Sequence, residues 1–196
     1  MQDLTETRLS RREIFDGKVL HVVEDTVRLP NGETATREIC LHVGAVCVLP
    51  LLPDGQVLME RQFRYAHGRV FLEIPAGKLN FAGEDPLEAA KRELREETGA
   101  AAGKYTCLGG LDTSPALIDE KITMYLAEDL TFGERALDDD EFLEVERVPL
   151  DTLFDMVMRG EIRDAKTQIA VLKVREILEK RKHADRKNEQ NVNNYL

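Results

Sequence analysis

Cysteine is scarce in this sequence, and the pattern of the few present excludes two kinds of site. Of 196 residues, three are cysteine: Cys40, Cys47 and Cys107. An odd number without a Cys-x-x-Cys pair indicates neither a disulfide framework nor a zinc site. We therefore expect the three thiols to be small core residues.

The sequence also lacks a long apolar run and an excess of positive charge. No stretch approaches the roughly eighteen apolar residues of a membrane helix, and the start, MQDLTETRLSRREIF, contains no signal-peptide core. The 27 Lys and Arg residues against 37 Asp and Glu give a net charge of −10, which disfavours nucleic acid and anionic membranes as partners. We expect a cytoplasmic protein that binds a polyanionic substrate only through local arginines or a metal.

A cluster of carboxylates is the most informative feature that is present. The segment RELREETG, from Arg92 to Gly99, places Glu93, Glu96 and Glu97 within about one turn of a predicted helix. Unpaired carboxylates at this spacing repel one another, and a bound cation removes the conflict. Oxygen ligands without nearby Cys or His suit a hard cation such as Mg²⁺. The alternative is a solvated, charged helix face.

Local signals define the ends of this helix. Asp85 can cap it, Pro86 fits its first turn, and Gly99 can end it in a left-handed conformation. An apolar stripe at helical spacing predicts the buried face, formed by Leu87, Ala90 and Leu94. Arg92 lies four residues before Glu96, and we expect it to hold that carboxylate, leaving Glu93 and Glu97 freer for a metal.

The rest of the chain alternates strand and helix patterns. An Asn-Gly turn at 31–32, flanked by alternating residues, predicts a small antiparallel sheet before residue 44. Further strand patterns occupy 46–52, 57–65, 70–77, 104–111, 121–127 and 142–148. Helices are predicted at 150–159 and 166–182, the second with the apolar stripe Ala170, Val174, Ile177 and Leu178. The polar segment 183–196 is expected to be disordered. These elements predict an α/β/α sandwich with a mixed sheet.

The segment from Gly77 to Ala100 resembles the signature box of the Nudix hydrolases. From Glu84 through Ala100 its spacing matches that family, whereas six residues instead of five separate Gly77 from Glu84. The N-terminal sheet, the QFR and EIPAG segments and a TSP loop resemble the ADP-ribose pyrophosphatase branch. The resemblance implies the segments 1–43 (N-terminal β-sheet, dimerisation and substrate contacts), 44–182 (Nudix domain) and 183–196 (tail).

The resemblance also implies a set of site residues. Mg²⁺, or alternatively Mn²⁺, would be held by Glu93, Glu97 and the Ala76 carbonyl, with Glu96 and Arg92 in catalytic roles. An acidic loop at 136–149 resembles the one that supplies the catalytic base, for which Glu141 is the first choice, followed by Asp139 and Glu144. Substrate contacts are implied for Arg37, Arg64, Glu73, Ser114 and Glu120.

Three functional readings follow from the resemblance. The first is hydrolysis of ADP-ribose to AMP and ribose 5-phosphate by a homodimer whose N-terminal sheet helps build the neighbouring subunit's site. The second keeps the chemistry but changes the nucleoside diphosphate sugar, because Ala116 stands where the family usually has glycine. The third is a non-catalytic ligand-binding regulator, which would be expected to lose the box carboxylates that are all present here.

Overall fold

The computed structural model describes residues 2–137 and 142–193, with side chains described up to residue 187. Its strands are β1 (Thr7–Asp16), β2 (His21–Arg28), β3 (Thr34–Leu41), β4 (Ala45–Pro50), β5 (Gln56–Arg64), β6 (Arg69–Glu73), β7 (Ala76–Lys78), β8 (Ala100–Asp112), β9 (Lys121–Phe132) and β10 (Leu143–Pro149). Its helices are α1 (Pro86–Thr98), α2 (Leu150–Met158) and α3 (Ala165–Asn193). A short 3₁₀ helix spans Tyr65–His67.

Strand β4 is the centre of the molecule. All six of its residues are buried, and it pairs in parallel with β9 and antiparallel with β7 in a sheet of order β7-β4-β9-β8. Alternate side chains point to opposite faces of a strand, so Cys47 and Leu49 pack in the cluster that includes α2 and α3, while Val46 and Val48 pack with α1. This arrangement confirms the predicted α/β/α sandwich with a mixed sheet.

Two smaller sheets complete the architecture. Strands β10, β5 and β6 form one antiparallel sheet, and β1, β2 and β3 form another. The β2–β3 turn has Gly32 at φ +88°, a left-handed conformation that glycine adopts readily, as the Asn-Gly signal predicts. The expected N-terminal antiparallel sheet is therefore confirmed, whereas the division into segments 1–43, 44–182 and 183–196 stays a prediction.

Two expectations differ from the structure. Helix α3 continues through Asn193, so the segment 183–193 is helical rather than disordered. The segment contains Ala, Arg, Lys, Glu and Gln, which have good helix propensity, and no Gly or Pro, and an ion pair between Lys182 and Glu179 supports the preceding turn. The cysteine prediction holds for buried Cys47 but is wrong for Cys107, which is exposed.

Among the described residues no helix is long and apolar enough to cross a membrane.

Candidate active site

Helix α1 carries the carboxylate cluster and is fixed at both ends. The Asp85 carboxylate accepts a hydrogen bond from Leu87 N at 2.9 Å, Pro86 occupies the first turn, and Gly99 follows at φ +71°. Ala90 and Leu94 are wholly buried against the sheet. The predicted caps and apolar face are therefore confirmed, and Glu93 and Glu97 lie beside that face and are buried with it, while Glu96 lies further round the helix.

Two of the three glutamates are buried in the structure. Glu97 is 3% exposed and its Oε2 accepts a hydrogen bond from Ala76 N at 3.0 Å. Glu93 is 8% exposed and its carboxylate lies directly over Gly77. A Cβ atom built on Gly77 would come within 2.1 Å of the Glu93 carboxyl carbon, so only glycine leaves room for it. Strand β7 thus holds both carboxylates through its backbone.

Arg92 differs from its expected role. Its Nη1 donates to Glu93 Oε1 at 2.6 Å and to Glu96 Oε2 at the longer distance of 3.3 Å. The expectation that Arg92 leaves Glu93 free is wrong, because the guanidinium also donates from Nη2 to Lys78 O, which places it over β7 beside Glu93. Arg92 therefore links the carboxylates of Glu93 and Glu96 on α1 to strand β7.

A hydrogen bond within the longer loop between Gly77 and Glu84 joins residues on its two sides. Glu84 Oε2 accepts from Asn80 N at 2.6 Å, and the same oxygen lies 3.7 Å from Arg92 Nη2. Gly83 has φ +90°, a conformation typical of glycine. The Glu84 side chain therefore organises this loop and connects it to the guanidinium of Arg92.

Arg64 ends β5 and projects into the same region. Its Nε and Nη2 donate to Glu73 Oε1 and Oε2, both at 2.8 Å, in a bidentate pair. Lys166 Nζ also donates to Glu73 Oε2, at 2.5 Å. Burial raises the pKa of Glu73, but the hydrogen bonds from Arg64 and the charge of Lys166 outweigh it and hold the pKa below its usual value. Glu73 is therefore a carboxylate bridging two cations.

The TSP loop contributes through Glu120 and Thr113. Thr113 Oγ1 donates to Glu120 Oε2 at 2.8 Å, and His42 Nε2 lies 3.6 Å from Glu120 Oε1. Ser114 is not among the residues that line the cleft, and its backbone carbonyl accepts hydrogen bonds from Leu117 N and Ile118 N. The loop is tied to β3 by a hydrogen bond from Cys40 N to Leu117 O at 2.8 Å.

Of the remaining predicted residues, those that the structure describes lie apart from this group. Arg37 on β3 pairs with Glu6, with Nη2 2.5 Å from the carboxylate, and does not line the cleft. Glu141 and Asp139 lie outside the described residues. Glu144 is exposed on β10 and lines a different cavity with Arg61 and Phe63.

The site residues surround a cleft with two adjoining parts. One part has a volume of about 580 Å³ and is lined by His42, Arg92, Glu93 and Glu96. The other has a volume of about 460 Å³ and is lined by Phe71, Glu73, Asp164 and Lys166. Both parts share the residues Arg64, Ala76, Gly77, Lys78 and Glu120. A ligand with two ends could therefore occupy both parts and place its middle beside Arg64 and Ala76.

The donor set fits a hard divalent cation. Glu93 and Glu97 offer two buried carboxylates, and the space over Gly77 already accommodates one of them. Mg²⁺ commonly takes one or two protein carboxylates and completes its shell with waters and substrate phosphates. In the part of the chain described here, no group of three or more His, Cys, Asp or Glu side chains could hold a metal alone. The residues therefore suit a metal that arrives with a phosphate ligand.

Comparison with known proteins places this geometry in a family. A model described as the NUDIX domain matches residues 41–172, and one described as the nucleoside diphosphate sugar hydrolase N-terminal domain matches residues 6–39.

The chain belongs to the NUDIX family. It is 43% identical over 186 residues to "ADP-ribose pyrophosphatase" of Bacillus subtilis, covering 93% of this chain and all of the relative. It is 40% identical to "Methanol dehydrogenase activator" of Bacillus methanolicus, covering 85% of this chain and 90% of that protein. A solved structure described as ADP compounds hydrolase superposes with a TM-score of 0.81 at 25% identity, covering 92% and 98% of the two chains.

Several cleft residues of this NUDIX protein carry no strong sequence signal. Asp164 directly precedes α3 and Lys166 lies in its first turn, about ninety residues after Glu73 in the chain, and His42 lies between two strands. Sequence spacing indicates neighbours within one element but not across elements. Thr113 stands beside the predicted Ser114 and could have been found by considering the whole TSP loop.

Proposed function

We propose that this NUDIX pyrophosphohydrolase splits ADP-ribose into AMP and ribose 5-phosphate with Mg²⁺ as its cofactor. The observation that carries the proposal is that Arg64 and the buried carboxylate of Glu93 line one two-part cleft, while buried Glu97 accepts a hydrogen bond from Ala76, which lines both parts. A guanidinium suits phosphate oxygens, and carboxylates suit a hard cation. The relative named ADP-ribose pyrophosphatase, covered along its whole length, supports this substrate.

In this proposal each group of residues has one task. Glu93, Glu97 and the Ala76 carbonyl hold the metal, which supplies Lewis-acid stabilisation of phosphate charge when bound. Arg64 binds the diphosphate, and Arg92 and Glu96 keep the carboxylate helix and its loop in place. Negative charge grows on the phosphate oxygens in the transition state, so these fixed cations favour it over the ground state.

A carboxylate must also accept a proton from the attacking water. We assign this role to Glu141, with Asp139 and then Glu144 as the next candidates, because the acidic loop follows β9 and leads into β10. Ala136 at the start of this loop lines the cleft, and strand β10 after it pairs with β5, on which Arg64 lies. Glu120, which lines both parts of the cleft, and Arg37, from the neighbouring subunit, are proposed to contact the sugar or nucleoside, and the contact expected for Ser114 stays a prediction.

Two alternatives stay open. Another nucleoside diphosphate sugar would use the same chemistry, and Ala116 in the TSP loop is the feature that favours it, because its methyl group limits close approach. A regulator without catalysis is the other reading, and the retention of Glu93, Glu96 and Glu97 argues against it. We also propose a cytoplasmic homodimer in which the N-terminal sheet contributes to the neighbouring site.

The deciding experiment is a substrate panel with the purified protein. ADP-ribose, ADP-glucose, GDP-mannose, UDP-glucose and dinucleoside polyphosphates are incubated with Mg²⁺ or Mn²⁺, and products are separated by chromatography. We expect AMP and ribose 5-phosphate from ADP-ribose at the highest kcat/KM. Preference for another sugar would select the second reading. Absence of turnover with both metals would overturn the proposed enzyme activity.

A further inference from the structure

Four charged side chains connect the cleft to the beginning of α3. Arg64 and Lys166 both contact Glu73 Oε2, at 2.8 Å and 2.5 Å. Lys166 Nζ also lies 3.1 Å from Asp164 Oδ1. All four residues line the same part of the cleft. The group contains two cations and two anions, so its formal charge is balanced.

The first turn of α3 fixes this group to the strand segment beside it. Asp164 Oδ2 accepts from Thr167 N at 2.9 Å, which caps the helix. Thr167 Oγ1 donates to Asp164 Oδ2 at 2.5 Å and accepts from Ile74 N at 3.0 Å. Ile74 directly follows Glu73 and lies two residues before Ala76. The start of α3 therefore sets the position of the segment that joins Glu73 to Ala76, whose backbone carbonyl is the predicted metal ligand.

Burial makes this arrangement rigid. Glu73 is 2% exposed and Lys166 is 8% exposed, so neither charge can exchange its partner for water at low cost. The bidentate pair uses Nε and Nη2 of Arg64, and Arg64 lines both parts of the cleft. Its third nitrogen with hydrogen atoms, Nη1, takes no part in the pair with Glu73.

Resting on the proposed function, we propose that Lys166 is a positioning residue for the diphosphate. It anchors the Glu73 carboxylate so that Arg64 presents Nη1 to the cleft. It also balances the charge of Glu73, so that Arg64 keeps a net attraction for phosphate. Without Lys166 the four-residue group would carry a net charge of −1 at the place where a polyanion binds.

The first test compares Lys166→Met with Lys166→Arg and with the control Lys173→Met. Lys173 lies on the same helix and donates to Leu108 O at 2.6 Å, away from the cleft. We expect Lys166→Met to raise KM for ADP-ribose about tenfold with a smaller change in kcat, as for lost support of a binding group. Lys166→Arg should recover most of the affinity, and Lys173→Met should leave KM unchanged. A KM for Lys166→Met equal to wild type would overturn the proposal.

A double-mutant cycle asks whether Lys166 acts through Arg64. If it does, adding Lys166→Met to the Arg64→Met variant should raise KM by less than about twofold, compared with about tenfold in the wild-type background. The effects of coupled residues are not additive. The same tenfold increase in both backgrounds would show that Lys166 acts independently of Arg64 and would overturn the proposal. Should Lys166→Met fail to fold, the double variant Lys166→Met/Asp164→Asn removes one charge of each sign, and it should fold and still raise KM.

A second readout needs no turnover. The Arg64 Nε–H signal in a nuclear magnetic resonance spectrum, assigned by its loss in Arg64→Met, should exchange slowly with solvent in wild type. We expect faster exchange in Lys166→Met and no change in Lys173→Met. Unchanged exchange in Lys166→Met would overturn the positioning role even if the wild-type protein hydrolyses ADP-ribose. Failure of the substrate panel, by contrast, would remove the proposed function and leave this measurement interpretable.

Discussion

The two buried glutamates of α1 are held by different contacts. Glu97 accepts a hydrogen bond from the backbone amide of Ala76, while Glu93 is held between Arg92 and the bare backbone of Gly77. A neutral glutamine can keep the first kind of contact through its carbonyl oxygen. At either Glu93 or Glu97, however, glutamine lacks the negative charge that attracts a cation.

Glu97→Gln should therefore lower turnover strongly without unfolding the protein. We expect kcat to fall about 10²- to 10³-fold, as for loss of one electrostatic stabiliser, and the free energy of unfolding to change by about 1 kcal/mol or less. Steady-state kinetics and urea unfolding measure the two effects. The matched control is Glu88→Gln, on an exposed part of the same helix, which should retain activity. Wild-type kcat in Glu97→Gln would contradict the metal assignment.

Gly77→Ala tests the space that holds Glu93. The added methyl group would lie 2.1 Å from the Glu93 carboxyl carbon, so this side chain or β7 must move. We expect a large loss of kcat/KM and about 1–3 kcal/mol lower stability, as for overpacking. The control Gly133→Ala has only an ordinary 3.8 Å contact and should be nearly neutral. Equal kinetics of Gly77→Ala and wild type would show that the Glu93 position is unimportant.

At the scale of elements, α3 is attached to the sheet by ion pairs as well as by its apolar face. Arg181 Nη1 donates to Glu128 Oε1 on β9 at 2.6 Å, and Lys104 on β8 lies 3.0 Å from Glu128 Oε2. The hydrogen bond from Arg181 is the main reason that the pKa of Glu128 lies below its usual value. This pair ties the helix to two neighbouring strands.

Arg181→Met should lower stability at neutral pH and have less effect in acid. The folded-state pKa of Glu128 is depressed, so its contribution is present above the unfolded-state pKa and is lost as the pH falls through the folded value. We expect a loss of about 0.5–1 kcal/mol at pH 7, because the pair is partly exposed to solvent. Chemical unfolding at pH 7 and pH 3 measures it. Lys180→Met, which removes an exposed pair with Glu176, should cost less. A difference as large at pH 3 as at pH 7 would contradict the role of Glu128.

At the scale of the whole molecule, the N-terminal sheet leaves apolar side chains exposed. Strand β1 has no buried residue, and Leu9, Ile14 and Phe15 are each 45–55% exposed. Apolar groups gathered on one sheet suit an interface more than free solvent does. Arg37, placed on this sheet outside the cleft of its own chain, could reach a second chain.

We therefore expect sedimentation equilibrium to give twice the chain mass of 22.2 kDa. The double variant Ile14→Asp/Phe15→Asp should shift the protein to a monomer and lower kcat/KM for ADP-ribose, because charge in an apolar interface is costly. The control Leu172→Asp adds a charge at a comparably exposed position on α3. A wild-type monomer would contradict the proposed homodimer, and full activity of the monomeric variant would contradict a shared site.

Local pattern explains why most elements were predictable. Helix α1 carries its own cap, proline, apolar stripe and terminal glycine, so contacts within about four residues define it. The Asn-Gly turn and the alternating residues around it define β2 and β3 in the same way. The extent of α3 was less predictable, because a polar sequence with good helix propensity is compatible with either helix or disorder.

The sequence by itself determined the α/β/α class, the helix that carries the carboxylates, and the identity of Glu93, Glu96 and Glu97 as candidates, whereas Arg64 was implied by the family resemblance. These depend on residue type and on spacing within one element. Only the tertiary structure decided which partner each charge takes: Arg92 lies nearer to Glu93 than to Glu96, and Glu73 is shared by Arg64 and Lys166. The physical reason is that a charge pairs by distance in space, and residues about ninety positions apart meet only after the chain has folded.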